Sequence, residues 1–72
     1  MRYYLTEDII FHEDIGEYKS YGIEIREGEC VLERIRDIDT SRERVEKLCE
    51  LCNSQKLSPI HFHDVVEDYL LR

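Results

Sequence analysis

Two cysteines three positions apart and two histidines two positions apart fall in one stretch, CELCNSQKLSPIHFHD, from Cys49 to Asp64. Thiolate sulfur and imidazole nitrogen are the usual protein ligands of zinc, and a C-x-x-C pair can also exchange disulfides. Each chemistry demands a geometry. On a helix turning about 100° per residue, Cys49 and Cys52 lie within about 40° of Val45, in the middle of an apolar stripe. Both thiols are therefore expected in a core, where free cysteine behaves as a small hydrophobe. A reactive pair would need a helix N-terminus or nearby positive charge to lower its thiol pKa. His61 and His63 fall about 160° apart if both are helical, too far round to share one ion. The eight residues between Cys52 and His61 also miss the zinc-finger spacing. One arrangement stays open, in which Cys49, Cys52 and His61 converge between two helices and Cys30 completes a four-ligand set. The residues favour core cysteines over a metal site, and no cofactor is implied.

Elsewhere, His12 stands beside Glu13 and Asp14, with Asp8 one strand-length away. A histidine next to a carboxylate can act as a general acid–base pair if both line a pocket. In a chain this acidic, charges beside a turn read first as solvated, so a small enzyme built on His12 is the remote alternative. No nucleophile elbow, phosphate loop, dinucleotide-binding glycine pattern or calcium loop is present, and no small-molecule substrate suggests itself. The five tyrosines exceed what one small core needs. Tyrosine is enriched at protein interfaces, so Tyr4, Tyr18 and Tyr21 mark the expected interaction surface, with strand propensity as the plainer explanation.

These residues need elements to hold them. From Arg2 to Glu13 the chain is aromatic and β-branched and predicts one long strand or two short ones. DIGE, with Gly16, signals a turn. YKSYGIEIRE then alternates, with Tyr21, Ile23 and Ile25 on one face. Gly28 marks a second turn, and CVLERIRDI returns with either Val31 and Ile35 or Cys30 and Leu32 facing inward. After Asp39 the period changes to 3.6. Thr40 with Glu43 three positions on makes a capping-box pattern, and Val45, Leu48, Cys49 and Cys52 follow helical spacing. That helix ends between Asn53 and Lys56. A second helix starts at Ser58-Pro59, with Phe62, Val65, Val66, Tyr69 and Leu70 as its buried stripe and Asp64 complementing its dipole. Residues 1–72 are expected to form one domain, with strands in 1–38 and a helical pair in 40–72. The fold class is α+β: a three-stranded antiparallel meander followed by two amphipathic helices packed on one sheet face, βββαα.

A chain of 72 residues buries only about 60–65% of its unfolded surface, so its core is small. The net charge of −7, with acids interleaved among the bases in ERIRD and SRERVEK, argues against nucleic acid as a partner. A basic protein partner or a second copy of the chain fits better. No N-terminal run resembles a signal peptide, no apolar segment approaches a membrane span, and three cysteines fit a reducing compartment, so a cytoplasmic location is expected.

YGIEI (Tyr21 to Ile25), RIRDI and LSPIHFHDVVEDYL (Leu57 to Leu70) resemble a family of short proteins from Gram-positive, mostly anaerobic spore-forming bacteria. That family is classed as a domain of unknown function. The resemblance covers roughly Tyr18 to Leu70 and is most specific in the Ser-Pro helix start and DVVEDYL. It implies a bacterial cytoplasmic protein and brings no activity, ligand or site residue. The residues themselves lead to a small interaction module without enzymatic activity, acting on another protein or as a homodimer, with a structural-metal or thiol-responsive protein as the alternative.

Overall fold

A computed structural model of the chain describes residues 1–71. The β-rich first half forms β1 (Arg2–His12), β2 (Gly16–Glu27) and β3 (Cys30–Asp39), antiparallel in the order β1-β2-β3. β1 is one unbroken strand that pairs with β2 from Arg2–Arg26 to His12–Gly16. Gly16, at φ 77°, closes the first hairpin, and Gly28, at φ 61°, opens the two-residue turn into β3. Both positions need the left-handed backbone that glycine adopts without strain.

β3 departs from simple alternation. Tyr21 pairs with Asp39 and Ile23 with Ile35, so Arg36, Asp37 and Ile38 stand against Gly22 alone. Leu32 is likewise extra between the Glu33 and Val31 pairings. Neither inward phase expected for β3 therefore holds along its whole length. Ile35 packs inward, while Val31, Cys30 and Leu32 are all exposed. Asp37 sits in the main bulge at φ 54°, a conformation that aspartate tolerates better than most residues.

Two helices cover one sheet face: α1 (Arg42–Ser54), over β1 and β2, and α2 (Phe62–Leu70), beside β3. Tyr3, Ile23, Ile25 and Ile38 from the sheet meet Val45, Leu48, Cys49 and Cys52 of α1 and Phe62 and Val66 of α2. Tyr3 and Phe62 stack at a tilt, 5.4 Å between centroids. The βββαα order and the α+β class are thus as the residue pattern predicts.

Three local expectations are corrected. Ser41, not Thr40, caps α1, accepting the Arg44 N–H at 3.4 Å. Asp39 holds the Ser41 N–H at 2.9 Å from its place in the sheet, which delays the helix by a residue. The Ser58-Pro59 start makes a 3-10 turn, Pro59–His61, and the Ser58 side chain caps nothing. The residue before proline is held extended, and the His61 N–H reaches back to the Ser58 carbonyl at 3.0 Å, a tighter closure than the α form. Leu70, expected in the buried stripe, is 56% exposed, because it ends α2 beyond the core side chains.

Candidate interaction surface

The residues that suggested metal or redox chemistry are separated by the fold. Cys49 and Cys52 are buried in the core. Burial, reinforced by the neighbouring Cys52, pushes the Cys49 thiol up to about 11, and burial also raises that of Cys52. Cys30 is exposed at the start of β3, and His61 is exposed in the 3-10 turn. His63 leaves the helix toward β3, its Nε2 2.8 Å from Glu33 Oε1. Among the described residues, no three His, Cys, Asp or Glu side chains gather as metal ligands would. His12 is exposed, and its Nδ1 accepts the Asp14 N–H at 3.2 Å, a turn closure. Between the helices runs an open groove of about 330 Å³ lined by Leu48, Leu51 and Val65, at the low end of the range of ligand pockets.

The sheet face away from the helices carries a charged lattice that the sequence did not suggest. Thr6, Ser20 and Glu24 are buried there although no second layer of chain covers them. Long side chains roof them instead. The Arg26 Nε lies 2.7 Å from Glu24 Oε1, and the same guanidinium stacks 4.8 Å over the Tyr4 ring. Arg34 lies 4.0 Å from both Glu24 and Asp8, and Arg36 reaches Asp8 at 3.1 Å. Ser20 donates to Asp37, which also lies 3.5 Å from the Tyr18 hydroxyl. Each buried acid thus has a basic neighbour. Ser20 is fully buried beneath this contact.

The expected tyrosines are divided between the two faces. Tyr4 and Tyr18 lie on the open face, with Glu24 and Ile10 as their respective cross-strand partners. Tyr21 lies on the helix-covered face and packs against the core.

The outer half of the β1–β2 hairpin carries three of the well-exposed large apolar side chains. Thirteen helical residues span about 20 Å at about 1.5 Å each, whereas the eleven of β1 span about 37 Å. α1 can cover only about half of β1. Beyond Tyr21, β3 has also ended, so the outer hairpin is a bare two-stranded arm. On it, Ile9, Phe11 and Ile15 are 65%, 70% and 69% exposed. Around them stand Glu7, Glu13, Asp14 and Glu17, with Lys19 as the lone base opposite Ile9.

The arm continues into the free edge of β1. At the Tyr3 end that edge is closed by a side chain. Asn53 of α1 accepts the Tyr3 N–H at 2.8 Å and donates to the Tyr3 carbonyl at 2.9 Å, as a neighbouring strand would. Tyr3 therefore turns its backbone groups away from β2. In an antiparallel ladder, every second residue does the same. Leu5, Glu7, Ile9 and Phe11 share that phase through an unshifted register, so their N–H and C=O groups line an uncovered edge. Asn53 read as a helix stop in the sequence. That it closes a strand edge could be seen only once α1 lay over β1.

A family model described as a family of unknown function (DUF6514) matches residues 1–72. No curated protein and no solved structure matches the chain. Among the described residues, no helix is long and apolar enough to cross a membrane.

Proposed function

Because the chain belongs to this family of unknown function, whose description names no activity to inherit, we propose a function from its own geometry: a small, non-enzymatic, cytoplasmic protein-interaction module of a Gram-positive spore-forming bacterium. Its docking surface is the hairpin arm with the free β1 edge. Tyr18 and Ile10 extend that surface onto the open face, Tyr4 continues it toward the Asn53-closed end, and Tyr21 supports the arm's base from the covered side. The partner is another protein or a second copy of the chain.

The observation that carries this reading is the exposure of Ile9, Phe11 and Ile15 together on the part of the hairpin that runs beyond the last β3 pairing. Isolated exposed apolar residues are ordinary, but three on one projecting arm beside unpaired backbone mark a surface that another chain covers. The apolar face costs solubility when left bare, and nothing in the fold repays that cost.

The test compares the wild-type chain with an Ile9→Asp/Phe11→Asp variant. Both side chains are mostly exposed, so circular dichroism and the denaturation midpoint should change little, within about 0.5 kcal/mol. Crosslinked capture from the native host, together with light scattering for self-association, should show a complex with the wild type that the variant loses. Equal complex formation by both proteins would contradict the reading.

A further inference from the structure

The bare β1 edge also constrains what docks on it. Resting on the interaction reading above, we propose that the partner contributes an extended segment rich in lysine or arginine, which pairs with β1 as an added strand along Leu5 to Phe11.

The hydrogen-bonding half of the argument is the phase of the edge. Leu5, Glu7, Ile9 and Phe11 present their N–H and C=O groups outward, and Asn53 already satisfies Tyr3 with the two bonds a strand would make. An added strand would start where Asn53 stops. Backbone pairing of this kind supplies affinity without reading sequence, and selectivity falls to the alternate side chains.

The charge half concerns those alternate side chains. On the helix-covered side, the added strand's residues would lie beside Leu5, Glu7, Ile9 and Phe11, under the flank of α1 that bears Asn53. Positions 46, 50 and 53 form one stripe of a helix, so Glu46 and Glu50 share the flank of α1 on which Asn53 meets the β1 edge. Arg42 is 3.9 Å from Glu46, while among the described residues no lysine or arginine pairs with Glu7 or Glu50. A lysine or arginine here lays its stem over Leu5 or Ile9 and brings its charge to these carboxylates. On the other side, the neighbours are Tyr4, Thr6, Ile10 and Asp8, the last already paired with Arg36, and the uncharged three suit β-branched residues.

A second copy fits worse. Two β1 strands paired about Glu7 bring Glu7 against Glu7, and a shift of two residues sets a carboxylate against Leu5 or Ile9. Each chain also brings a charge of −7 to the contact. Like charges directly opposite destabilise a strand pair.

The test uses two short dye-labelled peptides, one alternating lysine with valine and one alternating glutamate with valine. They are titrated into the full chain by anisotropy, with amide NMR shifts as a map. The lysine peptide should bind, moving and protecting the Leu5, Glu7, Ile9 and Phe11 amides, and the glutamate peptide should not. A Glu7→Lys/Glu50→Lys variant should weaken the lysine peptide about tenfold. Equal binding of both peptides, or of both proteins, overturns the charge selection. Binding of neither peptide overturns the proposal, as does a β1 edge already protected in a dimer of the free chain. If the Ile9→Asp/Phe11→Asp variant still loses its captured complex in those cases, the interaction reading survives and only the basic-strand assignment falls.

Discussion

At the scale of single residues, the cysteines and histidines go to different surroundings: Cys49 and Cys52 lie in the core, whereas Cys30, His12, His61 and His63 are exposed. Spacing is one-dimensional: Cys49 and Cys52 stay together on α1, whereas Cys30, His61 and His63 are carried elsewhere by β3, the 3-10 turn and α2. Cys49 and Cys52 could be read correctly because a helix wheel is local information and both fall on the stripe of Val45 and Leu48. Asn53 could not, since its role depends on Tyr3, fifty positions away. Asp39 is the residue with a pH signature. Its carboxylate accepts the Ser41 N–H and, at 2.8 Å, the Tyr69 hydroxyl, and these bonds lower its pKa below the ordinary 3.8. A depressed folded-state pKa gives stability that is complete above the unfolded value and lost as pH falls through the folded one. Urea midpoints should therefore drop on acidification below about pH 4, and the drop should be smaller in Asp39→Asn, which cannot titrate. Identical acid slopes for the two proteins would remove Asp39 from that role.

At the scale of elements, mismatched lengths and one bulge decide what is covered. A helix rises less than half as far per residue as a strand, so thirteen residues of α1 leave the outer part of an eleven-residue β1 bare. The helix length was legible from periodicity, whereas β1 read as one long strand or two short ones, and the consequence needs the alignment of helix on strand. The β3 bulge was illegible for a different reason. It depends on Gly22, where an added Cβ would stand 2.3 Å from the Ile35 carbonyl oxygen and 3.0 Å from the Arg36 Cα. Glycine inside a strand pattern can signal a bend, a bulge or close approach, and only the pairing shows that here the partner strand crowds it. Gly22→Ala should destabilise the chain by about 2–3 kcal/mol, read from chemical denaturation, because backbone atoms must move to admit one methyl group. A cost below about 0.5 kcal/mol would mean that β3 yields freely and that the bulge is not held in place.

At the scale of the whole molecule, two thin layers measuring 38 × 30 × 19 Å bury one small core and spend the rest of a long hairpin outside it. The open face is managed by charge, with Arg26, Arg34 and Arg36 roofing Glu24 and Asp8, whereas the arm is left apolar and unpaired. The proposed docking surface rests on that contrast between a charged face and an apolar arm. Strand order is what makes β1 an edge. The sequence predicted a meander, and a meander leaves its first and last strands as edges, but which edge a helix closes was not written in any residue type. The most direct measurement is amide hydrogen exchange, residue by residue along β1, on the free chain. Slow exchange is predicted at Thr6, Asp8 and Ile10, which bond to β2, and at Tyr3, held by Asn53; the Tyr3 amide should become fast in Asn53→Ala. Fast exchange is predicted at Leu5, Glu7, Ile9 and Phe11. Slow exchange at all of these positions would show the edge already paired or covered in the free chain, and would contradict the docking surface described above.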